Sequence, residues 1–105
     1  MTFNMEKIIE KLREIYFPGD DENFINARYC KEKLSRVQEL VEPTGIVSMQ
    51  LAGDSSFFQA KLIVHRTKEE FPMLFHNGLL EARLQQKLYN MILLTIYQLK
   101  QNKQQ

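Results

Sequence analysis

Hydrophobic residues recur at helical spacing at the start of the chain, and this pattern predicts a first helix. Its apolar stripe consists of Met5, Ile8, Ile9, Leu12, Ile15 and Tyr16. Asn4 is a favourable residue to begin such a helix, because its side chain accepts a hydrogen bond from a free backbone N–H. The Pro18-Gly19 pair is expected to end it.

A second helix is predicted from about Asp21 to Val41. Acidic residues at its beginning suit the positive end of a helix dipole, and Pro43 is expected to end it. Alternating steps of three and four residues place one apolar set on a single face. That set is Ala27, Cys30, Leu34, Val37 and Val41.

The period of the pattern then changes from helical to two, which is typical of strands with one buried face. This change predicts a β-hairpin of Gly45–Leu51 paired with Phe57–Arg66, joined by a turn in Ala52–Ser56. Phe57 and Ile63 fall on the face opposite the main apolar set, where polar residues are expected.

The chain between the hairpin and its last third allows more than one interpretation. Residues 67–70 have the form of a capping box, and residues 71–76 fit a strand, a loop or a helical turn. Asn77-Gly78 either forms a tight turn between strands Met73–His76 and Leu79–Arg83 or begins a helix from Gly78 to about Gln101. We favour the helix, because one long stripe has its period: Leu80, Leu84, Leu88, Met91, Ile92, Ile96 and Leu99.

These elements predict an α+β fold with two N-terminal helices, a central antiparallel β-hairpin and a long C-terminal helix, and a third short strand beside the hairpin is left open. The helices are expected to pack on one face of the small sheet. The length of 105 residues predicts one globular domain over residues 1–100. The polar tail, residues 101–105, is expected to fray.

Charge and cysteine content narrow the functional classes. The net charge of +1, from 14 basic and 13 acidic residues, argues against nucleic-acid binding through bulk positive charge. A single cysteine excludes an internal disulfide framework. We recognise no apolar run of transmembrane length and no signal peptide, so we expect a cytoplasmic protein that does not interact with membranes.

Candidate catalytic groups are few, and each has an ordinary structural interpretation. His65 lies near the end of a predicted strand and His76 precedes a turn, with no recognisable nucleophile pattern beside either. Cys30 lies on the apolar face of the second helix, where a reactive thiol is not expected. We therefore expect no catalytic, metal-binding or cofactor-binding residue, and no enzymatic activity.

The long C-terminal helix carries apolar residues on two sides. Leu93, Leu94 and Tyr97 fall outside its main stripe, on a side that should be polar in a surface helix. Two interpretations remain open: another subunit covers this side, or the helix is the central element of the core. The first interpretation predicts a homodimer, since two-fold dimers are the commonest oligomers. Phe57 and Ile63 are predicted to form a further contact surface.

The functional prediction is a small interaction or regulatory protein that binds itself and an unidentified protein. The alternative is a nucleic-acid-associated regulator. It would use the outer hairpin face or the basic residues of the second helix, which are Arg28, Lys31, Lys33 and Arg36. Glu32 and Glu39 lie among these cations, so a solvated face with ion pairs is the simpler interpretation of them.

Overall fold

Helices α2 and α3 pack on one face of a three-stranded antiparallel sheet in the computed structural model, and α1 packs across these two helices. The structure describes residues 4–16 and 25–103. Its elements are α1 (Met5–Tyr16), α2 (Ala27–Val41), a short 3-10 turn (Glu42–Thr44), β1 (Val47–Gly53), β2 (Phe57–Val64), β3 (Glu70–His76) and α3 (Glu81–Lys103). This order confirms the predicted α+β fold and assigns residues 71–76 to a third strand.

Helix α1 begins as predicted. The backbone N–H of Lys7 donates to Asn4 Oδ1 at 3.1 Å, so Asn4 satisfies one of the free donors at the helix start. Ile9, Leu12 and Ile15 are buried. The predicted stop at Pro18-Gly19 lies outside the described residues.

Helix α2 begins at Ala27, so the predicted start near Asp21 is wrong where it can be compared. Ile25 and Asn26 are not helical, and residues 21–24 lie outside the described residues. Asn26 is extended, and its Oδ1 accepts from Tyr29 N–H at 2.8 Å. This local hydrogen bond fixes the helix start more strongly than a run of acidic residues does. All five residues of the predicted apolar face are buried, which confirms that face.

The hairpin is confirmed with shifted ends. Strand β1 starts at Val47 and continues through Gly53, and β2 ends at Val64 rather than Arg66. The connecting turn is therefore shorter than predicted, at residues 54–56. The Asp54 carboxylate holds it by accepting from the Ser56 N–H and hydroxyl and from the Phe57 N–H, each at 2.9 Å.

Residues 67–70 do not form a capping box. The chain turns there from β2 into β3, with Lys68 in the left-handed conformation (φ 66°) and the Val64 N–H donating to Glu69 O. Strand β3 pairs with β2, with Phe58 opposite Phe75 and Leu62 opposite Phe71. The Phe58 and Phe75 rings are stacked with centroids 4.8 Å apart, so β3 brings its own aromatic residue into the core.

Helix α3 confirms the favoured interpretation of the last third, but it starts later than Gly78. Asn77 does not cap it; its Oδ1 accepts from the Ala27 N–H at the start of α2, 50 residues away in sequence. Leu80 precedes the helix and is 77% exposed, so its assignment to the buried stripe is wrong. The other members are buried: Leu84, Leu88, Met91, Ile92, Ile96 and Leu99. The helix continues through Lys103, into the tail that we expected to fray.

Candidate interaction surface

A continuous exposed stripe runs along α3 on the side away from the core. We call it the outer stripe. Its six members are separated by alternating steps of three and four residues: Arg83, Gln86, Asn90, Leu93, Tyr97 and Lys100. Leu93 is 44% and Tyr97 is 55% exposed, so the stripe has an apolar centre between polar ends. This spacing is the one with which helices pack side by side.

The three α3 residues predicted to bind a partner do not share one environment. Leu93 and Tyr97 lie on the outer stripe, whereas Leu94 is half-buried and packs against the hydrophobic core at the flank of the stripe. Gln86 and Asn90 are linked within the stripe, since Gln86 Nε2 donates to Asn90 Oδ1 at 2.8 Å. A substitution at Leu94 therefore perturbs the core, while one at Leu93 changes mainly the surface.

The sheet face that points away from the helices carries the second predicted surface. Phe57 is 56% exposed and stacks on His76, with ring centroids 5.8 Å apart, while Ile63 is half-buried. Leu74 on the neighbouring strand is 47% exposed and lies diagonally next to Phe57. Sequence reasoning missed Leu74, because residues 71–76 were not assigned to a strand. The structure does not join this face and the outer stripe into one site.

The free edge of β1 is covered by α2. Asp54 N–H donates to Phe57 O and His65 N–H donates to Ile46 O. Because hydrogen-bonded and free positions alternate along an antiparallel strand, the backbone N–H and C=O groups of Met49 and Gly53 point away from β2. Lys31 Nζ donates to Gly53 O at 2.7 Å, and Gln38 Nε2 donates to Met49 O at 2.8 Å. Two side chains of α2 thus occupy acceptors that an added strand would need.

The free edge of β3 is closed in a similar way. The same alternation directs the backbone groups of Pro72 and Leu74 away from β2. Proline has no N–H, and Leu74 O accepts from Lys87 Nζ of α3 at 2.8 Å. A partner strand added at either edge would have to displace these side-chain hydrogen bonds.

Three of the four basic residues proposed for the nucleic-acid alternative make contacts within the chain. Arg28 Nε pairs with Glu32 Oε1 at 3.3 Å, and Lys31 donates to Gly53 O. Lys33 Nζ lies 5.3 Å from the centroid of the Tyr29 ring. Arg36 lines a shallow groove of about 450 Å³ between α1 and α2 together with other charged residues of both signs. The four cations therefore do not form a uniformly positive patch.

The groups with nucleophilic or acid–base chemistry lie in settings with structural roles. Burial raises the pKa of the Cys30 thiol to about 12, which suppresses its thiolate form. His65 Nε2 lies 2.6 Å from Ser48 Oγ, an exposed pair between β1 and the end of β2 that the sequence did not reveal. Among residues 4–16 and 25–103, no group of three histidine, cysteine or acidic side chains is arranged to hold a metal ion.

Comparison with known proteins gave no matching family model, no matching curated protein and no matching solved structure. Within the part of the chain that the structure describes, none of the helices combines the length and the apolar character that crossing a membrane requires.

Proposed function

We propose that this chain is a small non-enzymatic interaction or regulatory protein that forms a homodimer through the outer stripe of α3 and acts by binding another protein. The observation that carries the proposal is the exposure of Leu93 and Tyr97 at the centre of a stripe with helix-packing spacing. Apolar groups so placed gain on the order of 1 kcal/mol each when a partner removes them from water.

The closed sheet edges support a helix-mediated contact. Side chains of Lys31, Gln38 and Lys87 occupy outward carbonyls of both edge strands. A second copy that approached as an extra strand would have to displace these bonds, whereas a second copy of α3 needs no such rearrangement. A two-fold helix pair also buries the same residues on both copies, as the commonest oligomers do.

The molecular mass in solution tests the proposal. Sedimentation of the purified protein over a range of concentrations should show a monomer–dimer equilibrium, and Leu93→Glu should shift it to the monomer. A charge at a desolvated contact remains unpaired and is unfavourable there, whereas it costs little in water. The Leu93→Glu variant should keep its helix content, because the side chain does not contribute to the core.

Leu80→Glu is the matched control. It makes the same chemical change at a leucine that is 77% exposed and lies just before α3, outside the outer stripe. We expect Leu80→Glu to leave the dimer intact. A wild-type protein that remains monomeric at tens of micromolar contradicts the homodimer, and so does a Leu93→Glu variant that dimerises as the wild type does.

The outer face of the sheet is the competing dimer surface, and a third variant separates the two. Phe57→Glu places a charge at the most exposed aromatic residue of that face. We expect it to leave the dimer intact and to affect only binding of a different protein. If Phe57→Glu produces monomers and Leu93→Glu does not, the dimer forms through the sheet.

Nucleic-acid binding by Arg28, Lys31, Lys33 and Arg36 stays a prediction with a simple test. A protein that contacts phosphates is retained on heparin or duplex DNA at low salt and is released steeply as salt rises. We expect no retention even at low salt, because three of these cations already have partners within the chain.

A further inference from the structure

We infer that the two α3 helices of the homodimer pair antiparallel, with Leu93 of each copy against Tyr97 of the other and Asn90 against Lys100. This inference rests on the proposed homodimer and specifies its geometry. It follows from the order of residues along the outer stripe, which reads basic, amide, amide, apolar, aromatic, basic from Arg83 to Lys100.

Charge decides between the two directions of pairing. In a parallel pair with the helices in register, each stripe residue faces the same residue of the partner subunit. Two Arg83 side chains therefore meet at one end of the contact and two Lys100 side chains meet at the other. Like charges placed opposite one another are unfavourable. The helix dipoles also point the same way in a parallel pair.

The antiparallel pair has a register that avoids these repulsions and joins the apolar residues. When Leu93 faces Tyr97 of the partner subunit, the two-fold axis passes beside residue 95. The two apolar layers then lie next to each other at the centre, with the more exposed ring covering the smaller leucine. Leu94 lies at the flank and adds apolar contact, since it is half-buried in the isolated chain.

The same register gives Lys100 a polar partner. Position 100 faces Asn90 of the partner subunit, and a carbonyl oxygen accepts two hydrogen bonds. Asn90 Oδ1 already accepts one from Gln86 Nε2 at 2.8 Å, so a second acceptor site is available to the ammonium group. A polar layer of this kind beside an apolar centre fixes the register of paired helices.

Cross-linking with Asn90→Cys and Lys100→Cys tests the geometry, since both substitutions leave Leu93 and Tyr97 in place. The natural Cys30 is fully buried and does not compete. In the inferred pair, each introduced cysteine lies about 15 Å along the helix axis from the same cysteine of the partner subunit, which is too far for a disulfide. Position 90 of one copy lies opposite position 100 of the other.

Each variant is first shown to be a dimer by sedimentation under reducing conditions, then oxidised alone and as an equal mixture. Intact mass spectrometry distinguishes the products, because the two variants differ in mass. We expect only the mixed disulfide, which joins position 90 of one variant to position 100 of the other and therefore forms only in the mixture. Adding Leu93→Glu to both variants should abolish it. Disulfides between identical copies in both variants overturn the antiparallel direction. A disulfide between identical copies in only one variant, or a dimer that forms no disulfide, overturns the register.

These outcomes are distinct from failure of the proposed function. If the wild-type chain is monomeric, the homodimer itself is wrong. If the dimer is present and its mass is unchanged by Leu93→Glu, the outer stripe is not the contact. Only a dimer that depends on Leu93 but gives the wrong disulfide contradicts the antiparallel geometry alone.

Discussion

Helices α2 and α3 pack on the same core but differ on their outer sides. On the outer side of α2, three cations have partners within the chain: Arg28 pairs with Glu32, Lys31 donates to the hairpin and Lys33 lies over Tyr29. The outer side of α3 presents Leu93 and Tyr97 to solvent. Both sides are exposed, yet only that of α3 leaves groups whose free energy falls on contact with another molecule.

This difference teaches how to separate a polar surface from an interaction surface. A count of charges on α2 suggests a binding face, but three of its four cations already contact groups of the same chain. On α3 the polar residues lie at the two ends of an apolar centre, and in the proposed dimer their charges favour one direction of pairing.

The largest expected effect is the loss of stability when a buried leucine of α2 or α3 is shortened, compared with the same change on the outer side of α3. Leu34→Ala and Leu88→Ala should each lower the free energy of unfolding by about 3 kcal/mol, because both side chains are fully buried and leave cavities. Leu93→Ala, measured below the dimerisation concentration, should change it by no more than about 0.5 kcal/mol. Urea unfolding measures all three, and an equal loss for Leu93→Ala would place that residue in the core.

The next effect concerns the hairpin segment that α2 contacts. Gly53 has φ +117°, and an added Cβ would lie 2.8 Å from Phe58 Cα and also meet Phe57 O. Gly53→Ala should therefore lower stability by about 2 kcal/mol or more. Gly45→Ala is the control: it also has positive φ (+67°), but its Cβ would have open space among the described residues, so we expect about 1 kcal/mol. Thermal unfolding distinguishes the two variants, and equal losses would contradict the close contact.

A smaller effect is expected at the beginning of α2. Asn26→Ala and Asn77→Ala each remove a side-chain acceptor of a helix N–H, with an expected loss of about 1 kcal/mol. Asn102→Ala, the same change at an exposed position in α3, should cause no loss. If Asn77→Ala is also without effect in denaturant unfolding, the contact between α2 and the β3–α3 connection does not contribute to stability.

Acid should weaken the turn that lies beside α2. The hydrogen bonds from Ser56 and Phe57 lower the pKa of Asp54, aided by the charge of Lys31. A lowered folded-state pKa contributes stability above the ordinary pKa, and this stability is lost as pH falls through the folded-state value. Wild type should therefore be more stable than Asp54→Asn at neutral pH, and the difference should shrink as acid protonates the Asp54 carboxylate below the ordinary range of an aspartate. A difference that is independent of pH would show that the charge is not involved.

The smallest effect is expected for the ion pair on α2. Arg28→Ala should lower stability by about 0.3 kcal/mol, because both partners are exposed and lie one helical turn apart. Glu32→Ala should have a similar effect, and the double variant should show that the two are coupled. Added salt should reduce the loss, and a salt-independent loss would indicate packing rather than charge.

The helical stripes and the hairpin could be predicted because each keeps one period over many residues. Strand β3 was only one of several alternatives for residues 71–76, because exposed Leu74 fills a position between the inward residues Met73 and Phe75 and so hides their alternation. Residues 67–70 also carry a helix-start signature, which tertiary pairing with β2 overrides. Asn77 shows the same limit. It was expected at the start of the last helix, but its Oδ1 accepts from the Ala27 N–H, 50 residues earlier in the sequence.

The candidate surface was only partly predictable. Helical spacing placed Leu93, Leu94 and Tyr97 away from the main stripe, but it does not show which of them neighbouring elements cover. Leu94 packs against the core while Leu93 and Tyr97 do not, and this distinction depends on where the sheet lies. Helical spacing places Lys33 next to Tyr29, one turn away, but it does not show that Lys31 contacts the hairpin.

The two sheet edges become covered at different moments of synthesis. Helix α2 precedes β1 in the chain, so Lys31 and Gln38 have already left the ribosome when β1 emerges. Strand β3 emerges before Lys87, so the outward carbonyl of Leu74 has no Lys87 ammonium to accept from until the second turn of α3 has been made. A nascent chain that ends between these points leaves the outer edge of β3 without this contact, and an uncovered strand edge is a place where other chains can pair.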